Sequence, residues 1–361
     1  MLERLVLEAL RAGPVSVSFS GGRDSSLVLA VAVHVARREG LPSPLPITMC
    51  HDSSESDESR WQERVLGHLG VEDRVCVDVG ERMDVLGPEA TDLLAAHGLQ
   101  SPANAYLHLP VVAAAGSGTL LTGVGGDELL GSTAGRSARV LYGRARPRRR
   151  DGRSLLLAAA PLPVRRRWKA ARTDHPYAPW LTPKARHEVV RRLAGAQVAT
   201  RARWDVDAIR FAGSRSARLG RAGLDLVGAR HGVRVLNPLL DPAFVDALAA
   251  EFGAIGPPSR SAAMWHLVSD LLPEDVLSRT TKAVFAAMVW GPAFRRFVSE
   301  WLPEELDPEL RELVDGAALR EAWSQPRPVF PSMMLVQHAW LRAWSAGGVL
   351  HQVDDGRQPV P

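Results

Sequence analysis

Short apolar runs alternate with longer segments of helical character in the first third of the chain. Four runs rich in β-branched residues predict strands, at residues 15–19, 46–50, 74–79 and 119–122. The segments between them predict helices at residues 24–38, 56–68 and 103–115, and the second of these opens with a serine cap. This alternation predicts the α/β class, with a parallel, doubly wound sheet that binds ligands beyond the carboxyl ends of its strands.

The pattern changes after Gly135, where a basic, proline-bearing connector leads into further helical runs. These runs lie at residues 205–231, 242–252, 261–272, 310–323 and 331–346. We therefore expect an α/β core at residues 1–134 and a mostly helical region at residues 135–361.

The composition is that of an ordinary soluble globular protein. The chain has 361 residues, of which 46% are hydrophobic and 23% charged. No apolar run approaches the roughly 20 residues of a membrane span, and the acidic, amphipathic N-terminus does not resemble a signal peptide. The two cysteines, Cys50 and Cys76, lie on separate apolar runs and predict neither a disulfide framework nor a metal site. We expect a cytoplasmic protein without a membrane partner.

The net charge of +4 has a local origin in the segment 136–172, which carries many arginines and one acid, Asp151. Such a segment could bind nucleic acid or an acidic partner. Because no aromatic residues interleave its first basic run, we expect a solvated surface and no nucleic-acid partner. Lysine is rare in this chain, which holds only Lys169, Lys184 and Lys282.

The first motif, SGGRDSS, lies between a predicted strand and a predicted helix. Gly21 and Gly22 allow a tight turn and a close approach to a ligand, while Ser20, Ser25 and Ser26 add hydroxyl donors. The start of the helix favours an anion. The carboxylate of Asp24 would repel that anion unless a divalent cation bridges the two. The lysine of a Walker motif is missing, and the segment resembles the PP-loop of ATP pyrophosphatases instead.

The second motif, GVGGDELLG at residues 123–131, follows the predicted strand at 119–122. In a doubly wound sheet, this position brings Asp127 into the same crevice as Asp24. Two carboxylates that face one triphosphate are the arrangement expected for Mg²⁺.

The two motifs together resemble the synthetase domain of the asparagine synthetase family, whose relatives include β-lactam synthetases, carbapenam synthetases and lasso-peptide cyclases. Three further segments are similar to family segments: SESDESRWQERVLGHLGV, NPLLDPAFVDAL and LLPEDVLSRTTKAVF. The resemblance covers roughly residues 13 to 290. It implies the adenine nucleotide alpha hydrolase-like PP-loop fold, with the helical region completing the synthetase domain.

The resemblance also implies the chemistry, in which a substrate carboxylate is adenylated with release of pyrophosphate and is then attacked by an amine or ammonia. ATP would be bound by Ser20, Gly21, Gly22, Asp24, Ser25, Ser26, Met49, Gly123 and Gly125, with Mg²⁺ on Asp24 and Asp127. Lys282 falls on the family's catalytic lysine, where a cation stabilises the charge that builds on the α-phosphate.

The chain departs from the family at two places. No cysteine precedes Cys50, so we expect a stand-alone domain without the family's glutaminase, fed by ammonia, an amine or a partner protein. Val124 and Arg234 stand where family members carry polar or acidic residues that handle the nucleophile. We therefore expect amide formation in a specialised pathway, such as peptide cyclisation or natural-product biosynthesis, rather than synthesis of free asparagine.

Two alternatives stay open at the level of sequence. One is a PP-loop enzyme that modifies tRNA, which the basic connector favours and the positions of Cys50 and Cys76 disfavour. The other is an ATP-binding subunit of an amidotransferase complex that depends on a second protein. The identities of the carboxylate and of the amine are not encoded in any motif.

Overall fold

The structure is a computed structural model. It describes residues 1–50, 58–131, 139–140, 143–144, 146, 148, 160–171, 178–199, 203–281 and 286–347. Most of the basic segment 136–172 and the expected serine cap at Ser56 therefore lie outside the described residues.

Within the described residues, five strands form one parallel sheet in the order β3-β2-β1-β4-β5. The strands are β1 Val15–Ser18, β2 Leu45–Cys50, β3 Val75–Asp78, β4 Gly118–Leu121 and β5 Val233–Leu236. The α/β class and the four strands expected in the first third are confirmed. The fifth strand was not predicted. It adds to the edge of the sheet beyond β4, with Thr119 opposite Arg234 and Leu121 opposite Leu236.

Contacts divide the chain into two compact units. The first comprises residues 1–80, 107–174 and 187–285 and contains the sheet. Its helices are α1 Leu2–Ala12, α2 Arg23–Glu39, α3 Ser59–Leu69, α5 Leu109–Ala115, α6 Gly126–Leu130, α7 Leu162–Ala170, α9 Trp204–Ala212, α10 Arg215–Arg230, α11 Pro242–Phe252, α12 Arg260–Val268 and α13 Glu274–Ser278.

The second unit comprises residues 81–106, 175–186 and 286–361. Its helices are α4 Pro88–His97, α14 Ala286–Val289, α15 Pro292–Glu300, α16 Gly316–Ser324 and α17 Met333–Ser345. Helix α8, Pro183–Ala199, begins in this unit and ends in the first. None of the helices in the described ranges has the length and apolarity that a membrane crossing requires. The division expected at residue 134, between an α/β core and a mostly helical region, stays a prediction.

Several of the helix predictions needed correction. The helix expected at 310–323 begins only at Gly316, after a 3-10 turn at Pro308–Leu310. The helix expected at 103–115 is a 3-10 turn, Ala105–His108, followed by α5, because Pro110 can occupy only the first turn of a helix. The helix expected at 205–231 is interrupted at Gly213, and Ser214 caps the second part by accepting a hydrogen bond from Ala217 N. The helix expected at 56–68 begins at Ser59, with Glu58 at its N-cap position.

Helix α2 carries the first motif into the centre of the core. Eleven of its residues, from Ser25 to Ala36, are buried, because apolar side chains cover almost every face of the helix. Gly40 ends it in the left-handed conformation, at φ 65°. Packing on several sides fixes the helix, and with it the position of the loop at its N-terminus.

The two cysteines form a disulfide between neighbouring strands, which corrects the expectation that they belong to no disulfide. Cys50 ends β2 and Cys76 lies on β3, with their Cα atoms 5.8 Å apart. The parallel pairing of β2 and β3 places these two apolar runs side by side. The spacing of the two cysteines along the chain does not indicate that pairing. The cysteine-based argument for a reducing compartment therefore no longer holds.

Candidate functional site

The first motif forms a loop between β1 and α2 that serine hydroxyls hold together. Ser25 Oγ donates to Gly22 O at 3.0 Å and accepts from Ser20 N at 3.2 Å. Ser20 Oγ lies 3.1 Å from Ser25 Oγ and accepts from Gly22 N at 3.3 Å. Gly21 adopts a φ of 78°, a conformation that a side chain would strain. The result is a tight turn whose shape is set by local hydrogen bonds at the start of a buried helix.

The second motif packs directly on the first. A Cβ atom at Gly123 would lie 2.8 Å from Ser25 N, and one at Gly126 would lie 2.3 Å from the carboxylate carbon of Asp24. Gly125 adopts a φ of 94°, and a Cβ there would lie 2.4 Å from the Leu240 side chain. Glycine is therefore required at Gly123 and Gly126, because the two motifs approach each other more closely than side chains allow, and at Gly125 because of its φ and its contact with Leu240.

Arg260, at the start of α12, joins the acidic residues of both motifs. Its Nη2 donates to Asp24 Oδ2 at 2.6 Å, and its Nη1 donates to Asp127 Oδ1. The side chains of Arg260 and Asp24 are 19% and 14% exposed, and that of Asp127 is 43% exposed. Two carboxylates from separate motifs therefore share one largely buried guanidinium.

The electrostatics of this cluster are dominated by burial. Burial raises the pKa of Asp24 above its ordinary value, and this outweighs the opposing effect of Arg260. Burial also lowers the pKa of Arg260, but the two carboxylates more than compensate and raise it overall. The pKa of Arg23 is lowered by burial and by the nearby charge of Arg260. Arg23 Nη1 donates to Ser261 Oγ at 3.3 Å, so two arginines bring positive charge to the loop.

The acidic residues have the donor chemistry of a divalent cation site, and one of their oxygens is unused. Among the described residues, the buried Asp24 Oδ1 has no hydrogen-bond partner. Carboxylate oxygens are the ligands that Mg²⁺ prefers, and it completes its shell with water and phosphate oxygens. Across the described ranges, no group of three or more histidine, cysteine or acidic residues forms a cluster that could hold a metal. The pair thus fits a metal ion that is bound jointly with an anionic ligand.

A second polar pair lies at the ends of β4 and β5. Thr122 Oγ1 donates to Asn237 Oδ1 at 2.6 Å and accepts from Val124 N at 3.3 Å. Thr122 is 2% exposed and Asn237 is 9% exposed. Arg234 is exposed and lies three residues earlier, near the beginning of β5. At the carboxyl ends of β4 and β5, the buried polar side chain is therefore the amide of Asn237 and not the guanidinium of Arg234.

The other residues singled out in the sequence are more scattered. Ser26 is fully buried behind the loop, and its hydroxyl has no partner in the described part of the chain. Met49 is half-buried near the carboxyl end of β2, the strand beside β1. Lys282 lies outside the described residues. The structure therefore brings Ser20, Gly21, Gly22, Asp24, Ser25, Gly123, Gly125 and Asp127 together.

Sequence reasoning missed Arg260, Asn237 and the role of Arg23 as a second cation. Arginine is the default cation of this chain, so nothing in the composition distinguishes Arg260 from the others. The signal that could have found it is its neighbour Ser259, which caps α12 by accepting from Ala262 N and so marks the start of a helix.

The position of the loop and the strand order define the class of protein. The two motifs follow β1 and β4, the central strands between which the direction of strand progression reverses. In doubly wound sheets this switch point is where ligands bind, so the chain is an α/β protein with a ligand crevice at that point. The sequence model of the asparagine synthase family matches residues 2–346, and the chain belongs to that family. No curated protein matches the chain.

Proposed function

We propose that this chain, which as a member of the asparagine synthase family is an ATP-dependent, amide-forming ligase, joins an amine or ammonia to a carboxylate in two steps. A carboxylate oxygen attacks the α-phosphorus of ATP, the bond to the β-phosphate breaks, and pyrophosphate leaves. The amine nitrogen then attacks the acyl carbon of the adenylate, the bond to AMP breaks, and the nitrogen loses a proton to a base.

The observation that carries this proposal is the Asp24–Arg260–Asp127 arrangement at the switch point of the sheet. Loop N–H groups and the hydroxyls of Ser20 and Ser25 would contact the β- and γ-phosphates, which leave together. Arg260 and Arg23 supply the positive charge that a Walker lysine would supply elsewhere. The cluster therefore suits a reaction in which pyrophosphate is the leaving group.

Mg²⁺ fits the pair of carboxylates and would be held by Asp24 and Asp127 together with phosphate oxygens. When bound, it neutralises the charge on the phosphates. Arg260 contributes a cation to the same region and keeps the two carboxylates close together. Asp24 orients Arg260 in return, through its 2.6 Å hydrogen bond.

Lys282 is proposed as the cation that stabilises the charge developing on the α-phosphate during attack. Arg279 lies three residues before Lys282 and donates to Gly21 O at 3.1 Å. The segment that leads to Lys282 therefore starts from a residue that contacts the loop. Met49 is proposed to contact adenine, because its strand ends beside the loop strand. Gly123 and Gly125 would line the same crevice.

The substrate is proposed to be a specialised carboxylate rather than free aspartate, as in peptide cyclisation or natural-product amide formation. Support comes from Val124, an apolar residue at the second motif, and from Arg234, which is exposed on β5. Neither offers the acidic group that aligns ammonia in family members. A partner protein that supplies ammonia or substrate is compatible with this arrangement.

The experiment that tests the proposal follows isotope exchange between pyrophosphate and ATP for the whole chain with a panel of carboxylic acids. We expect exchange that depends on one class of acid and on Mg²⁺, and that is lost on Asp24→Asn and Lys282→Ala. Asp275→Asn, which alters an exposed carboxylate of the same unit, should leave exchange unchanged. Conversion of aspartate and ammonia to asparagine at an ordinary enzymic rate would overturn the specialised substrate.

A further inference from the structure

A buried ion pair lies behind the anion-binding loop. Arg279 donates to Glu58 through Nη1 and Nη2, each at 2.5 Å, and the two side chains are 4% and 8% exposed. The guanidinium carbon also lies 4.6 Å from the centre of the Trp61 ring. Arg279 Nε donates to Thr281 Oγ1 at 2.9 Å. A buried charge with this many partners has one orientation, so whatever else it contacts is held in place.

The further contact of Arg279 is the backbone of the loop. Its Nη1 donates to Gly21 O at 3.1 Å. Gln62 Nε2, on α3, donates to the preceding carbonyl, Ser20 O, at 3.4 Å. The carbonyl oxygens of Ser20 and Gly21 therefore both point towards side-chain donors of the protein. If either peptide were flipped, its carbonyl oxygen would face the crevice and repel an anion bound there.

The orientation of these carbonyls determines where the neighbouring N–H groups point. In a planar trans peptide the C=O and the N–H point in opposite directions. The carbonyl of Gly21 faces Arg279, and the N–H of Gly22 accordingly points to the other side, where it meets the hydroxyl of the exposed Ser20. Gly21 has a φ of 78° and no side chain, so the peptide between Gly21 and Gly22 has little intrinsic resistance to rotation.

We propose that Arg279, held by Glu58, is a positioning residue that keeps the Gly21–Gly22 peptide turned so that its N–H, which here donates to Ser20 Oγ, lies on the side of the loop where the anion binds. The inference rests on the proposed function, because it assigns that anion to the pyrophosphate part of ATP. Arg279 acts through the loop and does not touch the ligand. Its bond to Thr281 also ties the loop to the chain that leads to Lys282.

The chain provides a matched control for this ion pair. Arg64 on α3 donates to Asp275 on α13 at 3.0 Å, and both side chains are about half exposed, at 49% and 50%. This exposed pair joins the same two elements that Glu58 and Arg279 flank, but within the described ranges no hydrogen bond links it to the loop. Arg64→Ala therefore removes a salt bridge between these elements without affecting the Gly21 carbonyl.

The test measures, by calorimetry with Mg²⁺ present, the affinities of the whole chain for inorganic pyrophosphate and for adenosine. Pyrophosphate needs the loop N–H groups, whereas adenosine has no phosphate and reports on the rest of the crevice. We expect Arg279→Lys to weaken pyrophosphate binding by at least about tenfold, as the loss of a charge-assisted hydrogen bond would. Adenosine binding should stay within about twofold, and Arg64→Ala should alter neither affinity.

Removing Arg279 alone leaves Glu58 buried without a partner, so a second variant guards against unfolding. The double variant Arg279→Met with Glu58→Leu removes both charges and keeps the volume, and it should also lose pyrophosphate affinity selectively. Unchanged pyrophosphate affinity in both variants, or an equal loss of both ligands, would overturn the inference alone. Failure of the wild-type chain to bind either pyrophosphate or ATP would overturn the proposed function as well.

Discussion

Arg260 and Asp24 are 236 residues apart in the chain, yet Arg260 Nη2 donates to Asp24 Oδ2 at 2.6 Å. The contact exists because α12 carries Arg260 to the start of α2, where Asp24 lies in the first helical turn. Arg260 reaches Asp127 as well, so one side chain links the two motifs that follow β1 and β4. The predictions below test the physical consequences of this cluster.

The first prediction concerns the dependence of stability on pH at Asp24. Burial raises its pKa in the folded protein above the unfolded value of 3.8, so folding favours the protonated form. Its stabilising contribution is fully present below pH 3.8 and is lost as the pH rises through the folded pKa. Asp24→Asn, which is uncharged throughout, should therefore gain stability relative to wild type between about pH 3.5 and neutrality. Urea unfolding of both proteins across this range checks it, and the opposite trend would contradict it.

Gly126→Ala should disrupt the cluster by steric contact. The new Cβ would lie 2.3–2.7 Å from the three carboxylate atoms of Asp24, which must then move away from Arg260. We expect loss of ATP-dependent AMP formation, by about a hundredfold, because the charge is misplaced at the reacting phosphate. The control is Gly67→Ala, in α3, where a Cβ meets nothing within 4 Å. That variant should keep full activity and gain about 0.5–1 kcal/mol of stability.

Arg260→Gln should expose the metal preference of the two carboxylates. Without the guanidinium, Asp24 and Asp127 repel each other, and a divalent cation that neutralises both carboxylates is bound more favourably. We expect Mg²⁺ alone to raise the melting temperature of this variant more than that of wild type, because a ligand that binds only the folded state stabilises it. Addition of Asp127→Asn should abolish the extra shift. Equal Mg²⁺ shifts in Arg260→Gln and wild type would contradict the assignment.

The buried Thr122–Asn237 pair gives a prediction about stability. Asn237→Ala should lower the free energy of unfolding by about 1–3 kcal/mol. The hydroxyl of Thr122, a residue only 2% exposed, loses the acceptor of its hydrogen bond in this variant. The double variant Thr122→Val with Asn237→Leu should recover much of that loss, since no polar group is left unpaired. A double-mutant cycle by urea unfolding measures the coupling.

The control for this prediction is Ser278→Ala, which removes an exposed hydroxyl bonded to its own helix. It should change the free energy of unfolding by less than about 0.5 kcal/mol.

The sequence allowed the first part of the fold to be predicted because its strands are apolar and its turns carry glycine. The fifth strand escaped because VRVL contains an exposed arginine and lies in a part of the chain whose other runs are helical. Helices α4 and α15 were also missed, and each begins with a proline. Proline in the first turn is compatible with a helix, but equally marks a turn when the rest of the pattern is weak.

The residues of the candidate site that lie in the two motifs could be predicted from the sequence. Asp24 and Asp127 were expected in one crevice from the logic of parallel sheets, and the contacts of Gly123 and Gly126 bring them there. Arg260, Arg279 and Glu58 act through contacts between segments more than 130 residues apart, the shortest being the 133 residues from Asp127 to Arg260. No local pattern encodes such contacts, because they depend on how the helices pack.

The missing lysine of the first motif has a physical explanation in the cluster. Arg23 is the first residue of α2, directly after the loop, and Arg260 comes from α12, so the positive charge reaches the site from two directions. The loop hydrogen bonds come from serine and backbone groups, which suit a pyrophosphate that must leave. On the proposed function, a permanent lysine in the loop is therefore not needed for binding.

The central claim is that this crevice breaks ATP between the α- and β-phosphates to activate a carboxylate. The most direct measurement separates the nucleotide products formed by the whole chain with Mg²⁺, ATP, a panel of carboxylic acids and an amine donor. The account predicts AMP and pyrophosphate, formed only with an accepted acid and lost on Asp24→Asn. Formation of ADP and inorganic phosphate, or release of AMP that does not depend on any acid, would contradict it.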